Sequence, residues 1–249
     1  MLETFSPFGT FTLLGIGLLF GLKHATEVDH VVAESTIVSQ HRNLMRSALV
    51  GALWGAGHTA ALLVTGAIVL SLRIAIPLQV SSWLEFGVAL MIIGLGISAL
   101  WRALRKRDHL HVHKHSHDGM SHVHIHFHED ATKHKPQSLA SRSSHSHAVS
   151  GIGIKPLLVG TMHGLAGSAA LTLLVLTQIQ SAMLGLLYLA VFGFGSIVGM
   201  LLMSGIIGLP FALTSRTLSA FHYRLQTLAA AISIVFGLWY AYHTGLTLL

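Results

Sequence analysis

A chain of 249 residues that is 52% hydrophobic, only 10% charged and has a mean hydropathy of +0.67 lies outside the composition of soluble domains and reads as an integral membrane protein. Its formal net charge of +6 does not point to nucleic acid, because between Arg102 and Lys155 nine Lys or Arg stand against four Asp or Glu, so one connecting segment holds nearly all of the excess. The absence of cysteine excludes disulfides and thiolate metal ligands together, leaving only nitrogen and oxygen donors for any metal site.

The opening MLETFSPFGT carries Glu3 and no basic run, so no cleavable signal peptide is expected and the first helix should insert and stay. Spanning a bilayer takes roughly 20 apolar residues, and stretches of that length fall at 13–40, 46–72, 83–101, 152–178, 183–209 and 225–248. None shows the period-two polarity of a barrel strand. The expected fold class is therefore all-α: a polytopic membrane protein with six transmembrane helices.

The first stretch contains GLKHATEVDHVV at residues 21–32, which puts His24, Glu27, Asp29 and His30 within seven positions of an apolar run. A single Asp near the centre of a membrane helix costs on the order of 2.5–3.5 kcal/mol on insertion scales. A bound cation would compensate for this. At about 100° per residue, however, His24, Asp29 and His30 project near 0°, 140° and 240°, so a straight helix cannot aim all three at one ion. Either the helix kinks or unwinds between Ala25 and Val28, or these ligands face different partners; residues 13–40 would also span about 42 Å as one helix, longer than the apolar slab, which favours a break or a strong tilt.

The second stretch places His58 in LWGAGHTAALL, where Gly55 and Gly57 allow close approach to the backbone. The third is bracketed by Trp83 and Trp101, about 27 Å apart along a helix and close to the bilayer's apolar thickness. After it the composition changes sharply. Residues 105–150 hold twelve of the nineteen histidines, including His109, His111, His113, His115, His117, His122, His124, His126 and His128. This reads as a low-complexity linker without a core, and its alternating histidines as a labile accessory metal-binding tract.

The fourth stretch contains GTMHGLAGSAAL at 160–171, which lies over residues 21–32 at an offset of 139 and brings in His163 and Ser168. In the fifth, FGFGSIV at 192–198 matches WGAGHTA at 54–60 through a G-x-G pair. An odd number of helices per repeat inserts the second copy upside down, the plan of many secondary transporters. The expected organisation is a membrane repeat at 1–104, a His-rich connecting loop at 105–150 and a second, inverted three-helix repeat at 151–249. His222 and His243, each taken alone, read as hydrogen-bonded core residues.

Alternating the loops between two sides puts Arg42, Arg46, residues 102–155, Arg216 and Arg224 on one face and only Arg73 on the other. The positive-inside rule makes the first face cytoplasmic, with both termini outside a cytoplasmic (inner) membrane and the His-rich loop inside. Three intramembrane histidines with Asp29, and His163 as a further candidate, point to a metal site. Imidazole and carboxylate without thiolate suit Ni(II), Co(II) or Zn(II), and not Cu(I) or the all-oxygen sites of Mg and Ca. Glu27 and Glu34 are candidates for holding a ligand in place from behind it or for coupling transport to protons.

The stretch from His24 to His30 resembles the H-x4-D-H signature of the nickel/cobalt transporter family, and Gly57-His58-Thr59 resembles that family's second histidine motif. The segment from His163 to Leu171 is similar to UreH-like high-affinity nickel permeases, and the long His-rich loop to related nickel/cobalt efflux proteins. Where many family members have Asp, this chain has Glu27. The resemblance implies a secondary permease moving Ni(II), with Co(II) as a second cargo, across the cytoplasmic membrane. Import is favoured and efflux is the alternative. His24, Asp29, His30, His58 and His163 would bind the ion, with Ser168 contributing from the second half. The partners expected are the transition-metal ion, the lipid bilayer and nickel-enzyme maturation proteins, with no cofactor and no nucleic acid. A membrane metal sensor or an intramembrane hydrolase would be less in keeping with the residues. The H-E-x-x-H arrangement of zinc proteases is absent, AGSAA lacks the second glycine of G-x-S-x-G, and no phosphate-binding G-x4-G-K-[ST] loop supplies an ATPase.

Overall fold

The computed structural model describes residues 7–74, 76–107, 110–117, 120–127, 153–179, 181–217 and 219–246. They form α1 (Pro7–His24), α2 (Val28–Val38), α3 (Leu44–Leu72), α4 (Leu78–Arg107), β1 (Leu110–His117), β2 (Met120–Phe127), α5 (Lys155–Gln178), α6 (Ala182–Thr217) and α7 (Ser219–Leu246). The first apolar stretch is thus two helices, which makes seven described helices where six were expected.

The interruption falls between His24 and Val28, the first of the two alternatives the helix arithmetic left open. The Thr26 hydroxyl donates to the Lys23 carbonyl at 2.6 Å, and the amides of Thr26 and Glu27 bond the carbonyls of Lys23 and His24 at 2.8 and 3.1 Å. A short hydroxyl side chain offers the backbone an alternative to continuing the helix. Glu27 then adopts an extended conformation (φ −65°, ψ 146°) ahead of α2, and the two axes meet at 53°.

Helices α3, α4, α6 and α7 are each long and apolar enough to cross a membrane, and the bent α1–α2 pair makes a fifth candidate span. The protein is a multi-pass membrane protein. The remaining expected span, the fourth in chain order, coincides with α5, 24 residues long, but six spans are not reached among the described residues. Large apolar side chains such as Leu78 (83% exposed), Met183 (79%) and Ile206 (66%) face outward, as lipid contact would require. The α3 N-terminus is capped by the Asn43 carboxamide oxygen, which accepts from the amides of Met45 and Arg46 at 2.9 and 3.3 Å.

At the centre α3 packs against α5 and α6, α1 lies on α6, and α4 pairs with α7. Glycines set these close approaches: a Cβ at Gly21 would strike the Phe192 carbonyl, and one at Gly160 would strike that of Trp54. Likewise Gly195 faces the Leu18 carbonyl and Gly57 that of Leu157. In both comparisons the partners lie 138 or 139 positions from their counterparts, so contacts on one side of α3–α6 recur on the other. The short helix α2 is tied to α7 by Ser233, which donates to the Val32 carbonyl at 3.1 Å and bonds Thr36, and by Gln226, which donates to the Ser39 carbonyl at 2.6 Å.

Part of the expected featureless loop is an antiparallel hairpin. Its register sets His111 opposite His126, His113 opposite His124 and His115 opposite His122. His109 and His128 lie outside the described residues.

Candidate metal centre

Four helices contribute to the centre. His24 ends α1, Asp29 and His30 sit in the first turn of α2, His58 is midway along α3, and His163 belongs to α5. The 53° break solves the aiming problem, since it releases His24 from the angular relation that a single helix would impose on Asp29 and His30. The five candidate donors fall into two groups. His24, His30 and His58 form one; Asp29, His30 and His163 form the other; within each, the donor atoms lie within 4.8 Å of one another.

Asp29 is the bridge. Its Oδ1 meets His30 Nδ1 at 3.2 Å and its Oδ2 meets His163 Nε2 at 2.8 Å. His24 Nε2 faces His58 Nε2 at 3.2 Å, while its Nδ1 meets Glu27 Oε1 at 3.0 Å. With metal–imidazole bonds near 2.0–2.1 Å, two neighbouring ligands on one ion have donor atoms about 2.9–3.4 Å apart. The His24–His58 pair is therefore already at ligand spacing. Glu27 holds the far nitrogen of His24, the arrangement by which an outer carboxylate orients a ligating imidazole.

Burial sharpens the point. His58 is 0% exposed and His30 and His163 are each 2% exposed, yet His30 Nε2, His58 Nδ1 and His163 Nδ1 have no hydrogen-bond partner among the described residues. A buried polar atom left unpaired costs about 1–3 kcal/mol, and three such nitrogens gathered in one place call for a compensating ligand. A divalent cation with affinity for imidazole and carboxylate, such as Ni(II), Co(II) or Zn(II), fits that donor set.

A cavity of about 270 Å³ reaches the centre, bordered by His24, Glu27, Asp29, His30 and His163 together with Glu85 and Tyr240. It continues, through the shared Glu27, Asp29, Glu85 and Tyr240, into a wider cleft that also touches Trp239 and His243. His58 borders neither and forms the deepest part of the centre. Glu85 and Tyr240 were not singled out from sequence. An acidic residue inside the apolar run SSWLEFGVAL was the available signal for Glu85, whereas nothing local marks Tyr240. Trp54 was also missed: its ring centroid lies 5.8 Å from that of His163 and 6.4 Å from that of His30.

The remaining candidates separate from this cluster. Glu34, 2% exposed, accepts a short hydrogen bond from Ser204 and leaves Oε2 unpartnered, but belongs to neither donor group. Ser168 lies on α5, with its side chain outside the described residues. His222 is buried against Phe211 and Tyr223, as a core residue would be. His243 is exposed and not the core residue expected: it packs on Trp239 at 4.6 Å and borders the cleft.

Over 238 residues the chain is 38% identical to the urease accessory protein UreH of Bacillus sp. (strain TB-90), a match covering 95% of this chain and 93% of that protein. No family model matches the chain, and no solved structure matches it.

Proposed function

The chain belongs to the UreH-like branch of the nickel/cobalt transporter family, and from that premise we propose that it is a secondary permease carrying Ni(II), with Co(II) as a second cargo, inward across the cytoplasmic membrane. The observation that carries this reading is the convergence of four histidines and Asp29 from four helices inside a membrane protein, with three buried imidazole nitrogens unpartnered. His24, Asp29, His30, His58 and His163 bind the ion. Glu27 orients His24, and Ser168 adds to the second half of the site.

Two features support the architecture and the direction. The paired glycine contacts at an offset of 138–139 residues are those expected of two inverted three-helix repeats about α3 and α6. The excess of Lys and Arg places the loop ends of α4 and α5 in the cytoplasm and both termini outside. Glu85 near the start of α4 and Tyr240 near the end of α7 then border a cavity that opens outward, so an arriving ion meets Asp29 first.

Ligands bind metal deprotonated, so ion capture releases protons and transport is linked to them. Glu34, a buried carboxyl one turn beyond His30, is the group that takes up and returns a proton on the inner side. The His-rich ribbon collects the delivered ion in the cytoplasm and passes it to nickel-enzyme maturation proteins, a role in keeping with the relative's description as a urease accessory protein. Efflux remains the competing reading of the same ribbon. The test is radiolabelled nickel flux in proteoliposomes of known protein orientation: His24→Ala and Asp29→Asn should each abolish uptake from the outer face. Undiminished flux in both variants would refute the site, and flux running only outward would reverse the direction.

A further inference from the structure

Resting on the permease reading above, we propose that the five donors are two alternative positions for one ion that share His30. An outer position is formed by Asp29, His30 and His163 and an inner one by His24, His30 and His58, and transport requires the ion to pass between them. Three observations lead there. The donors assemble as two groups of three with His30 in both, not as one group of five. His30 presents Nδ1 to Asp29 at 3.2 Å and leaves Nε2 unpartnered. Two divalent ions held a few ångströms apart repel strongly, so the two positions are occupied one at a time.

Accessibility and donor chemistry give the order. Asp29, His30 and His163 all border the cavity, and the Asp29 side chain is 22% exposed, whereas His58 is fully buried and borders neither that cavity nor the cleft beyond it. The outer position has a carboxylate, which attracts a hydrated cation and neutralises part of its charge. The inner has three neutral imidazoles, which bind a dehydrated transition metal and release it without separating opposite charges. His30 is the residue common to both positions as the ion changes hands.

The experiment uses the full chain with Trp83, Trp101 and Trp239 replaced by Phe, so that Trp54 beside both positions reports paramagnetic Ni(II) by fluorescence quenching, and ions on the distant ribbon go unseen. The flux of this chain in proteoliposomes sets the reference. Asp29→Asn and His58→Gln should each retain a saturable quench with an apparent Kd raised by no more than about tenfold, because one intact position remains, while nickel flux falls at least about a hundredfold. His30→Ala, and Asp29→Asn combined with His58→Gln, should lose the quench. Thermal unfolding midpoints matching the reference verify that each variant is folded, with His58→Asn replacing His58→Gln if the latter fails. Loss of the quench in both single variants would mean one five-ligand site and would overturn the proposal. Retention in the double variant, or retained flux in either single variant, would overturn it as well. If all variants including His30→Ala kept both quench and flux, the permease site itself would be wrong.

Discussion

His24 and His58, carried by different helices and 34 residues apart, face each other through their Nε2 atoms at 3.2 Å. That contact exists because α1 ends at His24 and the chain turns through 53° before α2 begins. It also means that a ligand pair on one ion is held together by the fold before any ion arrives. Replacing His24 by Ala removes one ligand and leaves Glu27 without its partner. We expect nickel flux in proteoliposomes to fall about a hundredfold with little change in unfolding temperature. A variant that transported at half the parental rate would remove His24 from the site.

Acid should weaken binding. Imidazole ligates as the neutral base and Asp29 as the anion, so protons compete with metal. As pH falls through the ordinary imidazole range near 6.5, the apparent Kd for nickel, read by Trp54 quenching, should rise by up to about tenfold per pH unit for each proton displaced. Affinity that stays level or improves between pH 7.5 and pH 5.5 would contradict a histidine-ligated site.

Glu34 should matter for coupling and not for capture. The Glu34→Gln side chain retains the hydrogen bond with Ser204 and matches the parent in shape, so folding and nickel binding should be preserved. Flux stimulated by a transmembrane pH gradient should lose its dependence on that gradient. A parental response to the gradient would end the assignment of Glu34 to proton handling.

Helix contacts made through glycine predict a paired stability effect. Ala at Gly21 or Gly160 drives a methyl group into a backbone carbonyl across the interface, which should cost about 1–3 kcal/mol. Gly94 has nothing within 4 Å of an added Cβ, so Gly94→Ala should be neutral or slightly stabilising. Thermal unfolding in detergent separates the cases. Equal midpoints for Gly21→Ala and Gly94→Ala would mean that the helices do not approach as described.

Deleting residues 109–147 removes the hairpin while leaving all five membrane donors. Equilibrium dialysis should show several fewer bound nickel ions per chain, with flux reduced but present. Complete loss of flux from a folded deletion variant would make the ribbon part of the transport path.

Much of this protein was legible in its residues. Insertion into lipid follows from apolar runs of sufficient length, and each apolar stretch coincides with a helix or, in the first case, a bent pair. The break after His24 was one of two outcomes open to the sequence, since spacing alone shows that a straight helix cannot aim His24, Asp29 and His30 together; the structure decided between a break and separate partners. What escaped was the hairpin, because a histidine-rich composition with no core gives no sign that strands will pair. Glu85 and Tyr240 escaped too, because a lone polar residue on a long apolar helix does not reveal which cavity it borders.

The sequence by itself determined that imidazole and carboxylate groups lie within the membrane and need compensation, since burying polar groups in hydrocarbon is costly wherever they sit along the chain. Only the tertiary structure decided that His58 and His163 meet the α1–α2 break, that the donors divide into two groups around His30, and that Glu34 pairs with Ser204 away from both. Those relations depend on where helices distant in sequence cross. The crossings are set by glycine faces and backbone approach across α1, α3, α5 and α6, which no local spacing contains.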